Sequence, residues 1–205
     1  MDFMEIFTLV TGVIYIILEI RQKNLMWAVG ILTSIAAMTV FFRQGLYASF
    51  GLNTYYLAMS FIGLWQWGKD RKKIQPGHDT DTRHDDRHDM ETHDRIHLNR
   101  LSVKTVIISA VITAIGIFTL SHLMTLLENP MSWIDASVAV LSAVATWWLT
   151  KAYLEQWFIW IAANLLTTAM CAASGLWWMT GLYAAYTVSA IIGLIHWKRN
   201  GIYIG

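Results

Sequence analysis

The sequence predicts an all-α integral membrane protein of seven transmembrane helices, built as two parallel three-helix repeats joined by a linking helix. Three observations carry that expectation. Of the 205 residues, 56% are hydrophobic and only 14% are charged, and the charges gather into a few short stretches. Mean hydropathy is +0.44, and apolar runs of about 18–20 residues recur, the length a helix needs to cross a bilayer. Finally, a shift of 130 residues lays the first three runs on the last three without a gap.

Taken in order, the first run spans residues 3–20 and stops at Arg21, Gln22, Lys23 and Asn24. The chain opens Met1, Asp2, Phe3, Met4, Glu5, acidic where a signal peptide is basic, so this span is expected to be retained. The second run, 25–42, ends at Arg43, Gln44 and Gly45, glycine being a natural helix stop because it accepts a left-handed backbone. The third, 46–67, gives way to Gly68, Lys69, Asp70 and the basic residues Arg71 to Lys73. The fourth, 101–127, is stopped by Glu128, Asn129 and Pro130; the fifth covers 134–150, the sixth 156–171 and the seventh 176–197. The organisation expected is therefore a first repeat over 1–67, a hydrophilic His- and Asp-rich loop over 68–100, a linking helix over 101–130, and a second repeat with the C-terminus over 131–205.

Orientation follows from lysine and arginine, which collect on the cytoplasmic side. With the N-terminus outside, fourteen of the fifteen basic residues fall inside and only Arg43 falls outside. An odd number of spans then puts the basic C-terminus in the cytoplasm. A three-span unit followed by one linking span returns the second unit in the same orientation, which makes the repeats parallel. Carriers built from such repeats bind substrate near mid-membrane.

The repeat also sorts residues. Gly63 pairs with Gly193, Trp67 with Trp197, Tyr56 with Tyr186 and Trp27 with Trp157. Residues kept in both halves serve the shared fold: the glycines as close helix contacts, Trp67 and Trp197 as interfacial anchors. Polar residues present in one half only are the better candidates for a ligand. Asn164 corresponds to Ser34, Trp160 to Gly30 and Asn53 to Tyr183. Trp157, Trp160 and Asn164 stand at i, i+3 and i+7 and share a helical face. Asn53, Tyr56 and Ser60 form one stripe on the third run, and Tyr183, Tyr186 and Ser189 a matching one on the seventh. Together they describe an aromatic-walled site for a flat, polar, heteroaromatic solute, each stacked ring contributing about 1–3 kcal/mol. The competing reading leaves the tryptophans in lipid or in packing and gives Asn164 a neighbouring helix, for about 1 kcal/mol. Because Trp157 has its counterpart in Trp27, substrate contact is expected first from Trp160 and Asn164.

Several function classes find no support. A net charge of +1 gives no hint of nucleic acid, and the lone Cys171 cannot form an intramolecular disulfide. There is no phosphate-binding glycine loop and no nucleophile beside a base, so neither an enzyme nor a cofactor is expected. No carboxylate, lysine or arginine stands deep in a span, which argues against proton coupling. His84 and His88, and His93 and His97, are spaced i, i+4 among aspartates, and on a helix such pairs can hold a transition metal; a solvated loop of mixed charge is the simpler reading.

The Trp157-x-x-Trp160-x-x-x-Asn164 pattern following Tyr153, Leu154, Glu155 and Gln156 resembles the Trp-x-x-Trp motif of the PnuC family of vitamin transporters. The stretch from Phe41 to Ser49, the Gly63 to Trp67 ending of the third run, and Ile134 with Asp135 resemble it too. The resemblance covers nearly the whole chain outside the His-rich loop and the fourth run. It implies a bacterial inner-membrane facilitator of SWEET-like parallel-repeat architecture that imports nicotinamide riboside, with relatives carrying thiamine or riboflavin, and whose substrate is trapped by cytoplasmic phosphorylation. By matching positions, Trp157, Trp160 and Asn164 line the site, with Asn53 and Tyr56 supplied from the third run. Gln156 departs from the asparagine that relatives often carry there, and the neutral Asn164 leaves the vitamin's identity open. The partners expected are the small-molecule substrate and the lipid bilayer, and a homo-oligomer is compatible with the sequence. The alternative from a different class is a metal-handling membrane protein that uses its His-rich loop.

Overall fold

The computed structural model describes residues 14–43, 47–74, 96–126 and 133–204. Seven helical segments appear among them. Residues 14–20 form α1; α2 is Leu25–Arg43, α3 Tyr47–Ile74, α4 Val103–Leu126, α5 Trp133–Thr150, α6 Gln156–Ala173 and α7 Trp177–Asn200. Four of these are long and apolar enough to cross a membrane, over Val103–Leu123, Trp133–Thr150, Gln156–Ala173 and Trp177–Asn200, and Leu25–Thr39 is a shorter apolar stretch. The expected stop at Gly45 lies outside the described residues.

Two features depart from the sequence expectation. Helix α3 runs to Ile74, seven residues past Trp67, because the charges that end a bilayer span do not end a helix: lysine and arginine are good helix formers. Lys69 lies over the Trp65 ring at 5.3 Å, and Gln66 donates to Asp70 at 3.2 Å, both at the i, i+4 spacing that helix geometry favours. The stretch expected to be wholly loop also contains a strand, β1 (Ile96–Leu98), which pairs in parallel with β2 (Gly201–Tyr203).

The helix ends are closed by the main chain itself. Gly175 takes φ +71°; its N–H donates to Ala172 O at 3.1 Å and the Leu176 N–H to Cys171 O at 2.9 Å, a Schellman motif that satisfies carbonyls left over at the end of α6. Gln22 closes α1 in the same manner at φ 48°, with Lys23 N–H donating to Leu18 O at 2.9 Å. Ala152, 130 residues on, repeats that left-handed turn at φ 52°, and Tyr153 N–H donates to Trp148 O at 3.2 Å. At the start of α4, Ser102 Oγ accepts from Thr105 N–H at 3.2 Å, an N-cap bond.

The chain divides into two compact units. The first takes the described residues up to Asn99, together with Thr150–Ala152 and the end from His196. Its centre is Trp67, fully buried, with Trp27 edge-on at 5.1 Å, His97 at 5.6 Å and Trp197 at 6.3 Å between ring centroids. Trp67 and Trp197 are therefore core residues and not the interfacial anchors expected. Trp197 Nε1 donates to Ile20 O at 3.0 Å. Gln22 extends the small sheet with its side chain: its Nε2 donates to His97 O and its Oε1 accepts from His97 N–H, both at 2.8 Å. Asn99 Nδ2 donates to Lys151 O at 2.9 Å, and its main-chain N–H to Ala152 O at 3.1 Å. His97 thus belongs to a buried strand, so it cannot form the helical i, i+4 pair with His93 that a metal reading requires.

The second unit takes Arg100–Leu149 and Tyr153–Ile195. Trp148 Nε1 donates to Ser109 Oγ at 2.9 Å, buried between α5 and α4, and Gly116 admits Val140 at the same pair of helices. The Trp157 ring lies directly over Gly193 of α7, where any Cβ would overlap it; in the first unit the Trp27 ring lies over Gly63 of α3 in the same way. Gly193→Ala should therefore lower stability by about 1–3 kcal/mol through overpacking. Gly181→Ala on the same helix, where a Cβ meets nothing within 4 Å, should be neutral or mildly stabilising. Melting followed by tryptophan fluorescence in detergent separates the two, and equal melting temperatures for both variants would contradict this packing.

Candidate functional site

Helix α6 carries the residues of interest and owes its position to the turn before it. The left-handed Ala152 ends α5, and Glu155, in helical conformation at φ −67° and ψ −14°, stands at the N-cap position without a side-chain capping bond. Glu155, Gln156, Trp157 and Trp160 therefore occupy the first turns, where main-chain N–H groups have no helical acceptors of their own.

These positions divide by role. Trp157 is 2% exposed and packs on Gly193, as Trp27 packs on Gly63; its main task is helix packing. Trp160, one turn on, is half-buried, and its indole Nε1 is buried with no hydrogen-bond partner. Asn164 follows at i+4 from Trp160, half-buried, and its main-chain carbonyl accepts from Thr168 Oγ1 at 2.7 Å. Gln156 precedes Trp160 at i−4. It is 0% exposed, and neither its Oε1 nor its Nε2 finds a partner. Glu155 Oε2 is likewise buried without one.

Gln156, Trp160 and Asn164 thus form one stripe at i, i+4 and i+8, continued by the buried Thr167 and Cys171. The stripe from Gln156 to Asn164 runs about 12 Å along the helix axis. Leaving a buried amide unpaired costs about 1–3 kcal/mol in proteins. A residue type that costs so much is retained where something else completes it. Gln156 was not anticipated as a site residue, although its spacing from Trp160 and Asn164 was there to be read.

The tyrosine and serine stripes fare differently. Tyr186 is half-buried with its ring edge-on to Tyr183 at 5.8 Å. In the first unit, Tyr56 is half-buried and meets Tyr55 at 5.8 Å, and Asn53 lies one turn before it on α3. The hydroxyls between them are engaged by their own helices: Ser60 donates to Tyr56 O at 2.8 Å and Ser189 to Ala185 O at 2.9 Å. Apolar and amide groups, not serine hydroxyls, are left to face a solute.

Among the described residues, no group of three or more His, Cys, Asp or Glu side chains is placed to hold a metal ion. His84, His88 and His93 lie outside those residues.

The division between Trp157 and Trp160 is measurable. Trp157→Ala should cost about 3–5 kcal/mol of stability, the usual loss for a fully buried tryptophan. Trp160→Ala should cost less than half of that and leave membrane insertion intact. Comparable melting temperatures for the two variants in detergent would remove the distinction.

Residues 2–199 match the nicotinamide mononucleotide transporter family. Over 203 residues the chain is 26% identical to the nicotinamide riboside transporter PnuC of Neisseria mucosa, covering 93% of this chain and 70% of that one. Over 144 residues it is 20% identical to the nicotinamide riboside transporter PnuC of Haemophilus influenzae, covering 70% of this chain and 56% of the relative. The fold is similar to that in a crystal structure of the vitamin B3 transporter PnuC, with a TM-score of 0.65 at 20% identity, covering 93% and 78% of the two chains. With a match over nearly its whole length and helices of membrane-spanning length and composition, the chain belongs to the nicotinamide mononucleotide transporter family as a multi-pass membrane protein of PnuC type.

Proposed function

We propose that this protein is a facilitated-diffusion importer of a vitamin nucleoside, nicotinamide riboside before thiamine or riboflavin, across the bacterial inner membrane. The observation that carries the reading is the α6 stripe: an indole N–H at Trp160 and a carboxamide at Gln156, both buried and both without a partner in the protein. An indole offers a face for a heteroaromatic ring and an N–H donor at its edge, and an amide reads a ring substituent. Asn164 extends the same stripe, and Tyr186 supplies a further aromatic wall in the second unit. Asn53 and Tyr56 are the contributions proposed from the first unit.

The full architecture belongs to the same proposal: seven spans, two parallel three-span repeats of SWEET-like type, the N-terminus outside and the C-terminus cytoplasmic. Recurrence of the left-handed turn at Gln22 and Ala152, and of the Trp27–Gly63 contact at Trp157–Gly193, supports the repeat. The absence of charge deep in the spans of the sequence favours movement down a gradient, with cytoplasmic phosphorylation of the substrate keeping that gradient inward. The relatives' names, both nicotinamide riboside transporters, favour that vitamin over the others.

Reconstituted protein should bind nicotinamide riboside saturably, in a calorimetric panel that includes thiamine and riboflavin. Uptake into vesicles should survive collapse of the proton gradient and persist after deletion of residues 75–95. Trp160→Ala should weaken binding by about 1–3 kcal/mol, the stacking contribution. Uptake abolished by an uncoupler, or transport lost with the 75–95 deletion, would count against the proposal.

A further inference from the structure

The buried amide of Gln156 imposes a chemical requirement on whatever completes it. A carboxamide carries one acceptor oxygen and an NH₂ donor side by side. Both atoms of Gln156 are buried and unpartnered, on a side chain with 0% exposure. One ligand group answers both at once: a second primary carboxamide, whose C=O accepts from Nε2–H while its NH₂ donates to Oε1. Glu155, the adjoining residue, adds a buried carboxylate oxygen that also lacks a donor. A negative charge so placed attracts a cationic ring and repels an anionic substituent. Trp160, four residues beyond Gln156, supplies the ring face on the same stripe.

We propose that Gln156 pairs with the primary carboxamide of the ligand and that, with Glu155 beside it, it makes the carrier select the carboxamide over the corresponding carboxylic acid. This rests on the nicotinamide riboside reading above and deepens it to a single substituent. At neutral pH the acid presents two acceptor oxygens and a negative charge. Gln156 Nε2 can still donate to one of them, but Oε1 then faces an acceptor with no proton between, and Glu155 meets like charge. Sites built around a ligand N–H reject analogues that lack it, because their own buried polar groups are left unpaired.

The test is calorimetric titration of the full-length protein in detergent with nicotinamide riboside and with nicotinic acid riboside. Wild type should favour the amide by about thirtyfold or more, the range expected when a buried group is left unsatisfied. Gln156→Met keeps the length of the side chain and removes both polar atoms. It should weaken amide binding about tenfold, change acid binding little, and so contract the ratio. Glu155→Gln should contract it from the other side, by raising the affinity for the acid. An amide-to-acid ratio that stays at the wild-type value in both variants, with the amide still bound, would overturn the Gln156 pairing while leaving the vitamin reading intact. Failure of wild type to bind nicotinamide riboside at all would overturn both. Should Gln156→Met not fold, the ratio in Glu155→Gln decides alone: contraction supports the proposal, constancy refutes it.

Discussion

Hydrocarbon offers no hydrogen-bond partners, and that constraint governs this chain from end to end. Every main-chain and side-chain polar group within a span must be answered by the protein or by something the protein holds. The hydroxyls comply locally. Thr33, Thr39, Thr54, Ser60, Ser137, Thr146, Thr167, Thr168, Thr180, Thr187 and Ser189 all bond the carbonyl four residues before them, so they enter an apolar helix without needing a neighbour. The helix ends comply through left-handed turns at Gln22, Ala152 and Gly175. Amides and indoles cannot reach back to their own helix in this way. Trp148 finds Ser109, Trp197 finds the Ile20 carbonyl and Gln22 finds the His97 main chain. Gln156 and Trp160 find nothing, and they stand on one stripe of one helix. That concentration of unmet hydrogen bonding is why α6 is read as the place a solute is held.

Packing provides the frame that keeps this stripe in place. A large ring against a glycine allows two helices to approach closely in a medium where apolar association gains little from solvent. The same device serves α2 with α3 and α6 with α7, and in the second case it fixes the rotation of the helix that carries Trp160. A turn of 100° per residue then decides which side chains share a face with Trp157 and which with Gln156. The fold residue Trp157 and the proposed ligand residue Trp160 are neighbours in sequence yet answer to different demands. In the first unit, the Trp27, Trp67 and Trp197 cluster with its two three-residue strands gathers α1, α3, the residues around Ala152 and the end of α7 at one place.

Much of the fold was legible in the residues alone. Apolar run length gave the helices close to their true bounds, since a bilayer imposes a length that composition records directly. The 130-residue shift paired Trp27 with Trp157 and Gly63 with Gly193 before their contact was visible. The family likeness followed from Trp157, Trp160 and Asn164. Where composition misled, the cause is physical. A tryptophan beside a charged run looks the same in sequence whether it faces headgroups or a neighbouring strand, so Trp67 and Trp197 were assigned to the interface when they lie in a core. The charges after Gly68 marked the end of an apolar run and not the end of α3.

Length, periodicity and repetition are local or self-referential properties, and the chain carries them in its own order: helices, their stops, the matched halves and the aromatic motif on α6. Whether a given polar atom is satisfied is a property of what lies around it in space. Pairing Ile96–Leu98 with Gly201–Tyr203 joins segments about a hundred residues apart, and strands of three residues leave no pattern to find. The Gln156 amide reads in sequence as one more polar residue at a helix start. Only the folded chain leaves it fully buried without a partner, and so turns an unremarked neighbour of the Trp motif into the residue with the most specific demand on a ligand.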